Sequence, residues 1–253
     1  MKPTQNTASG SESILTTTSL IKPQQFIDAV MREHPKLAAF DCDGTLWDGD
    51  AGEGFFDWEI KRGVVSNKTA EWARSRYANY KAGRVSEDDM CGEMVTLHNG
   101  MLEAELQTLA AQFFQEKFAA RIFPEMLDLV VRLQKSGCEI WAVSSTNEWV
   151  IQAAVRYFHI PEGNILAASV QIDEGTITDR LVRVPSGTGK PQAIREVIKR
   201  VPDAVFGNSR WDLDMLEMAR NPYAINPNSD LEEVARTRGW TIYFPETRPP
   251  QRD

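Results

Sequence analysis

Short apolar runs alternate with segments of helical periodicity from residue 23 onward. Lys36-Leu37-Ala38-Ala39-Phe40, Glu139-Ile140-Trp141-Ala142-Val143 and Ala204-Val205-Phe206-Gly207 are each too short for a helix and too apolar for a loop, which predicts buried strands. An amphipathic stretch at 24–32 precedes the first run, and helical patterns at 123–134, 148–157, 192–200 and 213–219 flank the other two. Strands alternating with helices predict an α/β protein with a Rossmann-like parallel sheet. The segment 165–184 breaks the rhythm around Asp173-Glu174-Gly175 and predicts an antiparallel excursion. Tyr223-Ala224-Ile225-Asn226 and Trp240-Thr241-Ile242-Tyr243 predict two further strands around a helix at 230–238.

Two stretches fall outside that alternation. Residues 1–22 are polar and rich in Ser and Thr, and are expected to be a flexible tail. Residues 52–117 show helical pattern and no convincing strand, and interrupt the α/β rhythm just after the first strand. The expected organisation is therefore a core of 23–51 and 118–253 with a helical cap at 52–117, positioned to close over the strand tips.

Composition narrows the function. With 28 Lys plus Arg against 36 Asp plus Glu, the net charge of -8 and the interleaving of signs disfavour a nucleic-acid partner. Cys42, Cys91 and Cys138 form no close-spaced pair, so neither a disulfide framework nor a zinc knuckle is indicated, and buried thiols in a reducing compartment are expected. No apolar stretch near the start is long enough for a signal peptide or membrane span, which makes the cytoplasm the expected location.

The candidate chemistry lies where the predicted strands end, because ligands of open parallel sheets bind beyond the carboxyl ends of strands. The three runs deliver Asp41, Ser144 and Asn208 to that edge. Asp41 and Asp43, at alternate positions, can both approach one pocket; their spacing taken alone favours a turn with a solvated acidic tip, and Gly44-Thr45 after an apolar strand makes the pattern much narrower. Ser144-Ser145-Thr146-Asn147 reads as helix capping or as an anion site, two compatible roles. Ser186-Gly187-Thr188-Gly189-Lys190 hints at a nucleotide-binding P-loop but fails at both ends, with Val184 at the first Gly position and Pro191 at the Ser/Thr position.

Phe40-Asp41-Cys42-Asp43-Gly44-Thr45-Leu46 resembles the first motif of the haloacid dehalogenase superfamily, in its phosphatase branch, and later motifs follow in order. The resemblance spans residues 36–244 and extends to the phosphoserine-phosphatase-like subfamily with a helical cap. It implies that Asp41 is the nucleophile and a metal ligand. Asp43 would be the general acid and base with its carbonyl toward the metal, while Thr45, Ser144, Ser145 and Lys190 would bind phosphate. Mg²⁺ is the implied cofactor, held by Asp41, Asp43, Asn208 and Asp212. Gly207-Asn208-Ser209-Arg210-Trp211-Asp212 departs from the family pattern, with Asn208 where a carboxylate is usual. An amide oxygen still ligates Mg²⁺ but adds no charge, which predicts weaker metal binding.

The expected activity is hydrolysis of a small phosphorylated metabolite through an aspartyl-phosphate. Asp50 and Glu53, at the root of the cap, are the candidates for meeting a substrate amine, and Arg74, Arg76 or Arg84 for meeting a carboxylate. Trp47, Phe55, Phe56 and Trp58 leave open a cation–π site for a phosphocholine- or phosphoethanolamine-type ester beside ordinary packing. A degenerate, binding-only protein is the remaining alternative, and no feature sets the oligomeric state.

Overall fold

A computed structural model describes residues 21–246. The expected tail falls outside the described residues as far as residue 20, and Lys22 forms the N-cap of the first helix, α1 (Pro23–Arg32), which carries Pro at its first turn.

The core is a seven-stranded sheet of β1 (Leu37–Phe40), β2 (Glu139–Asn147), β3 (Ile165–Asp173), β4 (Thr176–Arg183), β5 (Ala204–Gly207), β6 (Asn221–Ile225) and β7 (Thr241–Tyr243). The order across it is β4-β3-β2-β1-β5-β6-β7. All neighbours are parallel except β3 and β4, the expected antiparallel excursion. The chain leaves β1 for β2 on one side and later returns to β5 on the other. The tip of β1 is thus the topological switch point, where a crevice opens in such sheets.

Side-chain alternation divides β1 between two cores. Ala38 and Phe40 belong to one buried cluster, Leu37 and Ala39 to the other, so helices must cover both faces. One face carries α1 and α6 (Pro124–Lys135), which contact each other. The other carries α9 (Leu213–Met218) and α10 (Ser229–Arg238), with Leu216 and Leu231 in its cluster. Phe40 stacks on Phe206 at 4.1 Å and Phe206 on Tyr223 at 4.8 Å, an aromatic ladder across β1, β5 and β6 beneath the strand tips.

Four helices follow β1 and precede α6: α2 (Ala51–Arg62), α3 (Asn67–Lys81), α4 (Glu87–Thr96) and α5 (Glu103–Lys117). Asp50, Ser66 and Ser86 cap the first three by accepting from backbone N–H groups one turn on. α5 packs on α7 (Glu148–Val155), and its Phe113 and Phe114 join the main core. The outer part has a small core of its own built on Phe56, Ile60, Val65, Ala70 and Ala73.

Two local expectations differ from the structure. β2 does not end at Val143 but continues through Ser144 to Asn147, because Asn147 pairs with Ala168 of β3 past an irregularity in register. The third interstrand helix begins at Gly189 rather than 192, as α8 (Gly189–Ala193), and continues through a π-helical turn at Ile194–Ile198. A side chain at 189 would meet the Val184 carbonyl at 2.7 Å, so glycine lets the helix start close against the preceding strand and carries Lys190 in its first turn.

Replacing Phe206 by Ala removes the middle of the aromatic ladder and should cost about 3–5 kcal/mol in urea unfolding followed by circular dichroism. A cost under about 1 kcal/mol would mean the ladder contributes little.

Candidate active site

The backbone of β1 remains tied to β5 one residue beyond the strand, where the Asp41 N–H donates to the Phe206 carbonyl at 2.8 Å. The chain then turns sharply, with Leu46 N–H donating to the Cys42 carbonyl at 2.8 Å and Gly44 at φ 76°. Glycine is needed there twice over. The left-handed conformation disfavours a side chain, and an added Cβ would lie 1.9 Å from Asn208 Nδ2. The Asn208 side chain therefore packs directly on the turn that carries Asp41 and Asp43.

Asp41 is 6% exposed and both of its oxygens are engaged. Oδ2 accepts from the Thr45 hydroxyl at 2.8 Å and Oδ1 from Lys190 Nζ at 2.7 Å. Lys190 also donates to Asp212 Oδ1 at 2.5 Å and to the Val143 carbonyl at 3.2 Å. Asp212 Oδ2 accepts from the backbone N–H groups of Asn208 and Ser209 at 2.9 Å each and from the Ser209 hydroxyl at 3.3 Å. A Cβ on Gly207 would sit 2.5 Å from that of Asp212, so the residue before Asn208 must also be glycine.

Charge explains the arrangement. Burial and the Asp212 charge raise the Asp41 carboxyl to about 6, against the lowering effect of Lys190 and Thr45. Burial alone would lower Lys190, but Asp212 and Asp41 together hold it above the ordinary lysine range, so the ammonium stays charged.

Asp43 faces a different set of groups. Oδ1 accepts from Trp47 Nε1 at 2.8 Å and the Ala51 N–H at 2.6 Å, and Oδ2 from the Thr146 hydroxyl at 2.7 Å. Burial and the charge of Asp50 raise it to about 7 despite those donors. Two carboxylates two residues apart thus differ in environment: one lies beside a fixed cation, and the other is inclined to hold a proton near neutrality.

The remaining expected residues divide. Thr45 is fully buried with its hydroxyl donating to Asp41, so it orients the carboxylate. Ser144 lies buried at the bend of β2, where its hydroxyl accepts from the Thr146 N–H at 3.1 Å; the cap of α7 is Asn147. Asp212 accepts from Lys190 on one oxygen and from its own loop on the other, which makes it the second anchor of the lysine beside Asp41. Ser145, Asp50 and Glu53 line a compartment next to Asp43, at the junction of β2 with α2, α3 and α4. Asp50 is open to this compartment yet deep among protein atoms, and burial raises its pKa.

Several expectations on substrate groups are corrected. Trp47, Phe55, Phe56 and Trp58 are buried against other rings, with Trp47 edge-on to Phe114 and Phe55 stacked on Trp58, so they form no open cation–π site. Tyr77 and Tyr80 line the compartment instead, together with Glu87. The i,i+3 spacing of the two tyrosines on α3 is the only sequence signal that pointed to them. Arg76 is forked onto Glu93 at 2.6 and 2.7 Å, Arg84 donates to Asn79 at 2.8 Å and Arg74 is exposed, and none lines the compartment. Cys91 is half-buried at the same wall, and all three cysteines are free.

Comparison with known proteins agrees with this architecture. A family model described as haloacid dehalogenase-like hydrolase matches residues 38–217. A protein named histidinol-phosphatase from Neisseria meningitidis is 26% identical over 217 residues, covering 81% of this chain and 97% of that protein. Phosphoserine phosphatase SerB1 from Mycobacterium tuberculosis is 25% identical over 217 residues, covering 81% of this chain and 69% of that one. A crystal structure of a protein of unknown function from Bordetella pertussis superposes with a TM-score of 0.73 at 22% identity, over 82% of this chain and 97% of the other. The family match and the relatives named as phosphatases support a hydrolase of phosphoric monoesters. The chain belongs to the haloacid dehalogenase-like hydrolase family.

The environment of Asp43 makes a stability prediction. A carboxyl raised from 3.8 to about 7 on folding keeps its proton longer in the folded state, so its contribution to stability falls as pH rises across that window. Asn at 43 retains the acceptor for Trp47 and Ala51 and donates to Thr146, whose hydroxyl can accept. Asp43→Asn should therefore raise the melting temperature of metal-free protein at pH 8, on the order of 2 kcal/mol or roughly 4–8 °C, and leave it nearly unchanged at pH 4. Destabilisation at pH 8 would contradict the assigned environment.

Proposed function

We propose that the protein is a Mg²⁺-dependent phosphatase that hydrolyses a small organic phosphate monoester through an aspartyl-phosphate on Asp41. The observation that carries this reading is the division of labour between the carboxylates: Asp41 is oriented by Thr45 and Lys190, while Asp43 holds a proton up to about 7.

In the first step an Asp41 oxygen forms a bond to phosphorus as the ester oxygen leaves, and Asp43 gives that oxygen its proton. In the second, Asp43 takes a proton from water as the water oxygen attacks phosphorus, and Asp41 is released with its electrons. Lys190 stays charged throughout and offsets the meeting of a carboxylate with an anionic phosphoryl group. In this reading the Ser144 hydroxyl, which accepts from the Thr146 N–H, has its own proton for a phosphoryl oxygen.

The donor chemistry fits Mg²⁺. Among the described residues no group of three or more His, Cys, Asp or Glu is arranged to hold a metal. The residues that would hold it are the Asp41 carboxylate, the Asp43 carbonyl and the Asn208 amide oxygen, with the Asn208 side chain packed against Gly44 of the same turn. Mg²⁺ there would supply Lewis-acid neutralisation of phosphoryl charge.

The four helices at 52–117 act as the cap in this reading, and the acidic wall of Asp50 and Glu53 favours an ester bearing an amine. Histidinol phosphate and phosphoserine, suggested by the names of the relatives, are both of that kind. The partner is a phosphorylated metabolite rather than nucleic acid or membrane. No helix among the described residues is long and apolar enough to cross a membrane, and the free cysteines suit a reducing cytoplasm.

Assay with p-nitrophenyl phosphate tests the reading. Turnover should require Mg²⁺, and Asp41→Asn should lower kcat by at least about 1,000-fold with the circular dichroism spectrum preserved. Binding of phosphate compounds without turnover would favour the binding-only alternative, which Asn208 motivates. Turnover that persists in excess chelator would remove the metal.

Because Asn208 brings no charge to the metal set, Asn208→Asp should tighten Mg²⁺, about tenfold in the concentration giving half-maximal activity. An unchanged requirement would exclude 208 as a ligand. The alkaline side of the kcat/KM profile should fall with an apparent pKa near that of Asp43, about 7, as its proton is lost.

A further inference from the structure

The compartment beside Asp43 holds about 50 Å³, room for roughly four waters or a head group of a few heavy atoms. It adjoins Asp43 across Thr146. Thr146, whose hydroxyl donates to Asp43 Oδ2 at 2.7 Å, is part of its wall, so a group seated here is attached to the atoms next to the scissile ester.

Its walls carry one sign of charge. Asp50 and Glu53 come from the start of α2 and Glu87 from the start of α4, with the rings of Tyr77 and Tyr80 between them. Lys81 stands outside, donating to Glu53 at 3.1 Å with Nζ 5.1 Å from the Tyr77 ring centroid. Glu87 accepts from the Tyr80 hydroxyl, and the Ser145 hydroxyl lies 3.5 Å from it. Among the described lining residues there is no arginine or lysine.

A carboxylate placed here would face acidic groups while the nearby cation, Lys81, is already committed to Glu53, and its desolvation would go largely uncompensated. An ammonium or imidazolium would be attracted by the same carboxylates and by the tyrosine faces. Tyr80 and Glu87 also border a wider cleft of about 850 Å³, which runs between α3–α4 and the loop at Ser186 and Trp211. Lys81 and Arg210 line this outer cleft as well, so the absence of a cation is particular to the inner compartment, and the buried Ser186 hydroxyl, without a partner among the described residues, also lines the cleft.

We infer that the substrate is the phosphate ester of an amino alcohol that carries no carboxylate, and that Asp50, Glu53, Tyr77, Tyr80 and Glu87 select it against amino-acid phosphates. The inference rests on the phosphatase reading of the same site and sharpens it. Of the two esters named above, histidinol phosphate satisfies it and phosphoserine does not.

The test compares kcat/KM for O-phosphoethanolamine, L-histidinol phosphate and O-phospho-L-serine in the Mg²⁺-loaded full-length protein, with p-nitrophenyl phosphate as the generic substrate. At least one carboxylate-free amino ester should exceed phosphoserine by about tenfold or more, a preference worth about 1.4 kcal/mol. Glu87→Gln should narrow that ratio several-fold by removing repulsion. Glu53→Gln should narrow it through a different helix, by freeing Lys81 to meet a carboxylate. Phosphoserine turned over as well as or better than both amino-alcohol esters overturns the inference, as does a ratio that neither variant moves while aryl phosphate is still hydrolysed. Loss of aryl phosphate turnover in the unaltered protein overturns instead the phosphatase reading, and the inference with it.

Discussion

The site depends on one buried ammonium. Lys190 is 2% exposed and lies between Asp41 and Asp212, the first on the turn after β1 and the second on the loop after β5. Removing either carboxylate from such an arrangement leaves uncompensated charge, which in buried pairs costs about 3–5 kcal/mol. The local sequence follows from that constraint. Gly207 makes room for Asp212, the 208–209 backbone fixes its second oxygen, and Gly189 lets α8 start close enough to bring Lys190 to the strand tips.

From this anchor the roles of the neighbours separate. The lysine fixes Asp41 as a charged, oriented group, whereas Asp43 looks away from it, toward Trp47, Ala51 and Thr146. Thr146 belongs to β2, so the extension of that strand through Asn147 links the chemistry to the compartment under α3 and α4. The same residue therefore touches both Asp43 and the compartment.

Much of the fold was legible in the sequence because the strands are short, apolar and bounded by polar tips: 36–40, 139–143 and 204–207 fall on β1, β2 and β5. Boundaries set by tertiary contacts were not legible. The added length of β2 comes from pairing with β3 across an irregular register, and the early start of α8 from backbone approach to Val184, neither of which leaves a periodic trace.

Within the site, Asp41, Asp43, Ser144, Lys190, Asn208 and Asp212 were found by spacing and resemblance, and the structure gathers them at the tips of β1, β2 and β5. Thr45 and Asp212, assigned to phosphate and metal by resemblance, hydrogen-bond to Asp41 and Lys190, two contacts that spacing along the chain does not reveal. Tyr77, Tyr80 and Glu87 were missed because their significance lies in facing β2 across a cavity, and residue type on a helix does not reveal which neighbour it faces. The central claim, that Asp41 is the phosphorylated nucleophile, is tested most directly by acid-quenching the Mg²⁺-loaded protein during turnover and mapping phosphorylated peptides by mass spectrometry. The account predicts a phosphoryl adduct on Asp41; an adduct on another residue would contradict it.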